Sequence, residues 1–141
     1  MKFLKLLSIL FLTSTFILSC DKEDPDTTGP TIEIKNITDG KAYKFGETLI
    51  MNFKFTDQSG IYEYQYHLYS KDDIEKGLDV KQHIFYEGYF TNLEETKTIT
   101  LPTKGTTLFQ EGDYVIEVVA TDIKQNMSKF IKPIKITYPT E

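Results

Sequence analysis

From Thr31 onward, apolar and polar residues alternate with a period of two in short runs separated by turn residues, a pattern that specifies antiparallel β-strands. No long helical period competes with it. The clearest run covers residues 48–56, where Leu49, Met51, Phe53 and Phe55 share one face and Asn52 and Lys54 the other. A first strand over 31–36 buries Ile32 and Ile34 and ends at the turn Asp39-Gly40. A third, over 61–69, sets Tyr62, Tyr64, Tyr66 and Leu68 against Glu63, Gln65 and His67.

The stretch 70–77 then carries a capping serine, acids in its first turn and a terminal glycine, so one helical turn is expected there. Strands follow over 83–90 and 96–101, and after a Thr- and Gly-rich connection over 102–112 a sixth over 113–121 buries Tyr114, Ile116, Val118 and Ala120. The last covers 128–138, and Pro133, which cannot donate to a ladder, makes it an edge strand or breaks it in two. The expectation is an all-β, seven-strand antiparallel sandwich over 31–138.

The number of strands and the Tyr-x-Ile-x-Val-x-Ala run at 114–120 resemble an immunoglobulin-like or fibronectin type III-like sandwich, with Tyr114 standing where such folds place a corner tyrosine. The chain lacks the immunoglobulin disulfide and core tryptophan, which favours the fibronectin branch. More specifically, Gly29-Pro30-Thr31-Ile32, Asp39-Gly40, the run 55–61 and the run from Ala120-Thr121-Asp122 to Asn126 resemble a family of Bacteroidetes-type lipoprotein domains of unknown function. That resemblance implies no enzymatic activity. It also exposes one departure, because the family commonly carries Gly directly before the final Asn, where this chain has Gln125.

Ahead of the strands, Met-Lys-Phe-Leu-Lys leads into a mostly apolar run ending at Leu18-Ser19-Cys20, the charge, length and small-residue order of an export signal. The run is interrupted by Ser8, Thr13, Ser14 and Thr15 and is shorter than the roughly 20 residues needed to span a bilayer. Cys20 is the only cysteine, so it has no intramolecular disulfide partner. These residues resemble a bacterial lipoprotein signal, which implies cleavage before Cys20, lipidation of its sulfur and an outer-membrane or cell-surface location. A plain secretory signal and a signal anchor are the alternatives. Residues 1–19 are then signal peptide, and residues 20–30 an acidic, proline-containing tether. The acids after Cys20 also resemble a surface-export signal, against the plainer reading of a solvated linker.

Removing residues 1–19 takes Lys2 and Lys5 with it and moves the formal charge from −5 to −7. With no arginine and only scattered lysines the chain has no basic stripe for a phosphate backbone, so nucleic acid is not an expected partner. His67 and His83 are not at metal-ligand spacing, and no HExxH, GxSxG, CxxC or phosphate loop is present, so no enzyme is expected. Sandwich topology gathers Asp57, Ser59, Asp122 and Asn126 at the end where the first strand begins, with Asp24 and Asp26 nearby. Calcium is the ion such oxygen donors suit; the competing reading is that Asp57, Asp122 and Asn126 only shape turns. His67, Tyr69 and Tyr86 form the candidate ligand-binding cluster for a glycan or protein partner. The tyrosine stripe behind them reads either as a stacking platform or, more simply, as core.

Overall fold

The computed structural model describes residues 25–139. Eight strands are present: β1 (Thr31–Ile34), β2 (Ala42–Lys44), β3 (Thr48–Thr56), β4 (Ile61–Ser70), β5 (Gly77–Phe85), β6 (Asn92–Thr100), β7 (Gly112–Asp122) and β8 (Met127–Thr137). They form an all-β sandwich of a three-stranded sheet, β1-β3-β6, and a five-stranded sheet, β2-β8-β7-β4-β5.

The additional strand comes from the segment after β1. β1 pairs antiparallel with β3, whereas β2, three residues long, crosses to the other sheet and pairs parallel with β8 through Ala42↔Lys135 to Lys44↔Thr137. The expectation of seven strands in purely antiparallel pairing is corrected on both counts. A three-residue strand is too short to show a period of two, which is why the alternation does not reveal it.

Pro133 neither breaks β8 nor costs it a ladder bond. Its carbonyl accepts from the Gly40 N–H on the side away from β7 (2.8 Å), so the position of its missing N–H also points away from that partner. The expected helical turn over 70–77 is a hydrogen-bonded turn instead, closed by Lys76 N–H to Asp73 O (3.0 Å), and no helix occurs among the described residues. The strand expected over 83–90 lies earlier, at β5, and leaves Tyr89 and Phe90 in the connection to β6.

The two sheets close on the alternating faces. Leu49, Met51, Phe53 and Phe55 of β3 meet Tyr64, Tyr66 and Leu68 of β4, with Ile116, Val118 and Ala120 of β7 and Ile134 and Ile136 of β8. Each fully buried large side chain stabilises the fold by roughly 1.5–3 kcal/mol relative to exposure. Phe55 lies on Tyr64 with ring centres 4.6 Å apart and Phe53 on Tyr66 at 5.4 Å, which identifies these tyrosines as core. Tyr62 departs from the expected stripe. A register shift between Ile61 and Glu63 gives the inward place to Ile61 and turns Tyr62 outward. At the end away from the tether, Tyr114 acts as a corner tyrosine, donating to Gln110 O (2.8 Å) and accepting from Gln110 N–H (3.1 Å).

Candidate metal centre at the tether end

Three segments far apart in sequence converge where the chain enters the sandwich. In the β3–β4 turn, Asp57 Oδ1 accepts from Ser59 N–H (2.8 Å), Ser59 Oγ (2.7 Å) and Gly60 N–H (3.1 Å). Gly60 has φ +96°, and a Cβ there would meet Ile123 Cδ1 and Tyr89 Cδ2 at 3.1 Å, so both conformation and space require glycine. In the β7–β8 turn, Asp122 Oδ1 accepts from Asn126 N–H (2.7 Å) and Oδ2 from Asn126 Nδ2 (2.8 Å). Asp122 is 0% exposed. Gln125, in the same turn, is the only non-glycine with positive φ among the described residues, at +69°.

The tether supplies the third segment. Asp26 Oδ1 accepts from Thr28 N–H and Thr28 Oγ, both at 3.1 Å, and Asp26 O accepts from Asn126 Nδ2 at 3.1 Å. Gly29 lies so close to the Met127 backbone that a Cβ would fall 2.6 Å from its carbonyl carbon. One carboxylate oxygen from each of Asp26, Asp57 and Asp122 lies within 4.8 Å of the other two. The Thr28 backbone N–H, above all, holds the Asp26 carboxyl below its ordinary value. The Ser59 hydroxyl proton is already donated to Asp57, and Asp26 Oδ2 is shielded from solvent without a hydrogen bond. Among the described residues, no ion pair involves any of the three aspartates.

Asp57, Ser59, Asp122 and Asn126 thus gather as the topology predicts, and Asp26 joins them. Asp24 and Cys20 lie outside the described residues. Beside the carboxylates opens a cavity of about 490 Å³ lined by Pro25, Asp26, Gln58, Tyr89, Ile123 and Lys124.

The ligand-binding trio does not assemble. His67 and Tyr69 lie together on the outer face of the five-stranded sheet, ring centres 5.0 Å apart, and Tyr69 Oη donates to Glu117 Oε2 (2.9 Å), which also pairs with Lys129 (2.6 Å). Burial pushes the Glu117 carboxyl up, but the bonds from Lys129 and Tyr69 outweigh it and the net shift is downward. Gln65, His67, Ile74, Glu117 and Val119 line a cavity of about 290 Å³ there. Tyr86 instead packs inward, parallel to Tyr64 with ring centres 6.1 Å apart, and donates to Glu95 Oε1 (3.0 Å). Glu117 was missed in the sequence, although its register opposite His67 is the signal that a strand alignment supplies. His83 is paired separately with Glu63 at 2.9 Å.

With this geometry established, comparison with known proteins gives one decisive match: residues 18–137 match the family described as Domain of unknown function (DUF4625). The chain belongs to that family. A search of curated proteins finds no match. Among solved structures, the chain is similar to dimeric latent PorU from Porphyromonas gingivalis (TM-score 0.57, 12% identity, covering 86% of this chain and 11% of that one). It is also similar to a superoxide reductase (neelaredoxin) from Ignicoccus hospitalis (TM-score 0.54, 13% identity, 78% and 82% covered). At these identities the likeness shows the fold alone. A structure of fibronectin(III)-like modules of Clostridium thermocellum CbhA matches at TM-score 0.47 with 14% identity over 79% of this chain, which spans about half of that structure (48%). The family is one of unknown function, and the architecture shared with these structures is that of a two-sheet all-β sandwich.

Proposed function

We propose that this member of the family is a lipid-anchored, non-enzymatic binding or accessory module of the cell envelope, of the Bacteroidetes lipoprotein type, held through Cys20 and engaging a glycan or protein partner. The observation that carries the binding role is the outer face of the five-stranded sheet. There His67, Gln65 and Glu117 line a cavity, and Tyr69 lies beside His67 and donates to Glu117, a set that offers ring faces together with hydrogen-bonding groups. The anchor rests on the residues around Cys20, and the absence of an enzymatic role on the lack of a nucleophile–base motif in the sequence.

Two experiments test the two halves. Labelled palmitate should enter the wild-type protein and not Cys20→Ala, and equal labelling of both would remove the anchor. The purified chain should bind one or more members of an envelope glycan array, or crosslink to an envelope protein, and a His67→Ala/Tyr69→Ala double variant of unchanged circular dichroism should lose that binding. Retained binding in the double variant would remove the outer face as the site.

A further inference from the structure

We propose that β6 is the seam of a homodimer, in which two copies of this chain pair their β6 strands antiparallel about a two-fold axis at Thr96. The inference goes beyond the proposed function and depends on neither the anchor nor the outer face. β6 closes one side of the three-stranded sheet, and its only strand partner among the described residues is β3.

The direction of its free groups follows from β3. Asn52 turns its backbone away from β6, since its N–H donates to Asn36 Oδ1 (2.8 Å) and its carbonyl accepts from Lys35 N–H (3.0 Å). Thr96, opposite Asn52, therefore sits in a non-hydrogen-bonded pair, and its own N–H and C=O point outward. The same alternation turns the backbone of Asn92, Glu94, Thr98 and Thr100 outward. Leu101, on the other phase, donates inward to Glu47 O (2.9 Å). An edge of this kind is a template for another strand.

Two features set β6 apart from the other edges. The first is regularity. Its nine residues pair with β3 without a register shift and include neither Pro nor Gly, whereas β1 and β2 have four and three residues and the pairing of β5 is interrupted between Tyr66 and Leu68. The second is that the strand reads alike from both ends. Leu93 and Ile99 are buried, Glu95 and Lys97 half-buried, and the five alternate residues exposed, a pattern symmetric about Thr96.

The chemistry is complementary about the same point, which selects a second copy as the occupant. In an antiparallel pair centred on Thr96, Leu93 of one copy meets Ile99 of the other, Glu95 meets Lys97, and Glu94 meets Thr98. Within one chain Glu95 and Lys97 already pair at 3.1 Å, so the dimer extends that pair into an alternating array of four charges. Charges on an edge deter pairing with an arbitrary strand. Here they also fix the register, because moving the centre to Glu95 or to Lys97 sets that residue against its own copy.

The test uses the full chain in detergent, with micelles in excess over protein and with Cys20→Ser so that an introduced thiol is the only one. Sedimentation over a range of concentrations should show a reversible monomer–dimer equilibrium. Facing Thr96 residues lie about 5.5 Å apart at Cα, within disulfide reach, whereas the two Thr98 residues are about 13 Å apart. Thr96→Cys should therefore crosslink under mild oxidation about tenfold faster than Thr98→Cys, or more. Glu95→Lys replaces two attractive pairs with repulsive ones and should weaken dimerisation about tenfold, and Glu95→Lys/Lys97→Glu should restore it. A chain that is monomeric at every concentration would overturn the dimer. Equal crosslinking at the two positions would overturn the register, and a double variant of unchanged circular dichroism that dimerises as weakly as Glu95→Lys would overturn the charge pairing.

Discussion

Replacing Gln125 with glycine should stabilise this protein. Gln125 is held at φ +69° by the turn around it, in which its N–H donates to Asp122 O (3.1 Å) and the next N–H, of Asn126, donates to Asp122 Oδ1 (2.7 Å). A residue with a Cβ in this left-handed region loses about 1–2 kcal/mol against its right-handed alternative. Glycine removes that cost but loses about 0.4–1 kcal/mol through the greater freedom of the unfolded chain. The difference leaves Gln125→Gly more stable by about 0.5–1 kcal/mol, or a melting temperature higher by about 2–5 °C for a domain of this size. The side chain is exposed, so little packing is lost. Gln125→Ala, which keeps the Cβ, is the control and should stay within about 0.5 kcal/mol of the wild type. Urea melts of the three proteins measure the effect. If glycine were no more stable than alanine, the backbone strain assigned to this turn would be wrong.

Tyr64→Phe should also stabilise: the Tyr64 hydroxyl is buried beside the Tyr86 hydroxyl, which is already given to Glu95, and makes no close hydrogen bond of its own, so removing it relieves up to about 1–3 kcal/mol of desolvation cost. A urea midpoint that falls, with the denaturant slope unchanged, would show that the hydroxyl is satisfied. Tyr114→Phe should do the opposite and cost about 1–2 kcal/mol, because both its bonds to Gln110 are lost and the Gln110 N–H is left unpaired; a loss below the error of the melt would deny the corner its role. The alkaline limb of stability should depend on Tyr86, whose burial, with the Glu95 bond second, raises it from 10.0 to about 12. The neutral phenol is favoured in the fold, so its contribution is complete below pH 10 and is lost as pH rises from there through about 12. Tyr86→Phe should flatten stability over that window, and an unchanged slope would contradict the assignment.

What the period of two shows, and what it hides, follows from how each residue's environment is set. Leu49, Met51, Phe53, Phe55, Ile116 and Val118 face the core as read from alternation, since a strand pinned between two sheets has no other arrangement for them. Tyr62 escapes because a bulge is a local count of two residues against one, which leaves no mark on apolarity. β2 is hidden for a different reason: it is defined by its partner, β8, and not by its own three residues. The displacement of β5 to Gly77–Phe85 belongs to the same class, because pairing with β4 decides its ends and the aromatic run up to Phe90 extends past them.

The same distinction explains the site. Asp57 and Asp122 were legible because a sandwich places the two loops at one end whatever their sequences. Asp26 was legible only as a neighbour of that end; how closely it approaches depends on the tether folding back against Met127, and the contact that permits this is the missing side chain of Gly29. His67 and Tyr69 are neighbours through strand period, whereas Tyr86 lies past the end of β5 and follows the chain inward to Tyr64 and Glu95. In the sequence, a turn-forming role and a ligand role for Asp57 and Asp122 look like alternatives. In three dimensions the turn-forming role is what the hydrogen bonds carry: the donors of Ser59, Gly60 and Asn126 fix the Asp57 and Asp122 carboxylates in place beside Asp26. Asp122 can be buried completely because Asn126 satisfies both of its oxygens, and the same Asn126 Nδ2 holds Asp26 O, so one side-chain pair closes the turn and ties the tether to it.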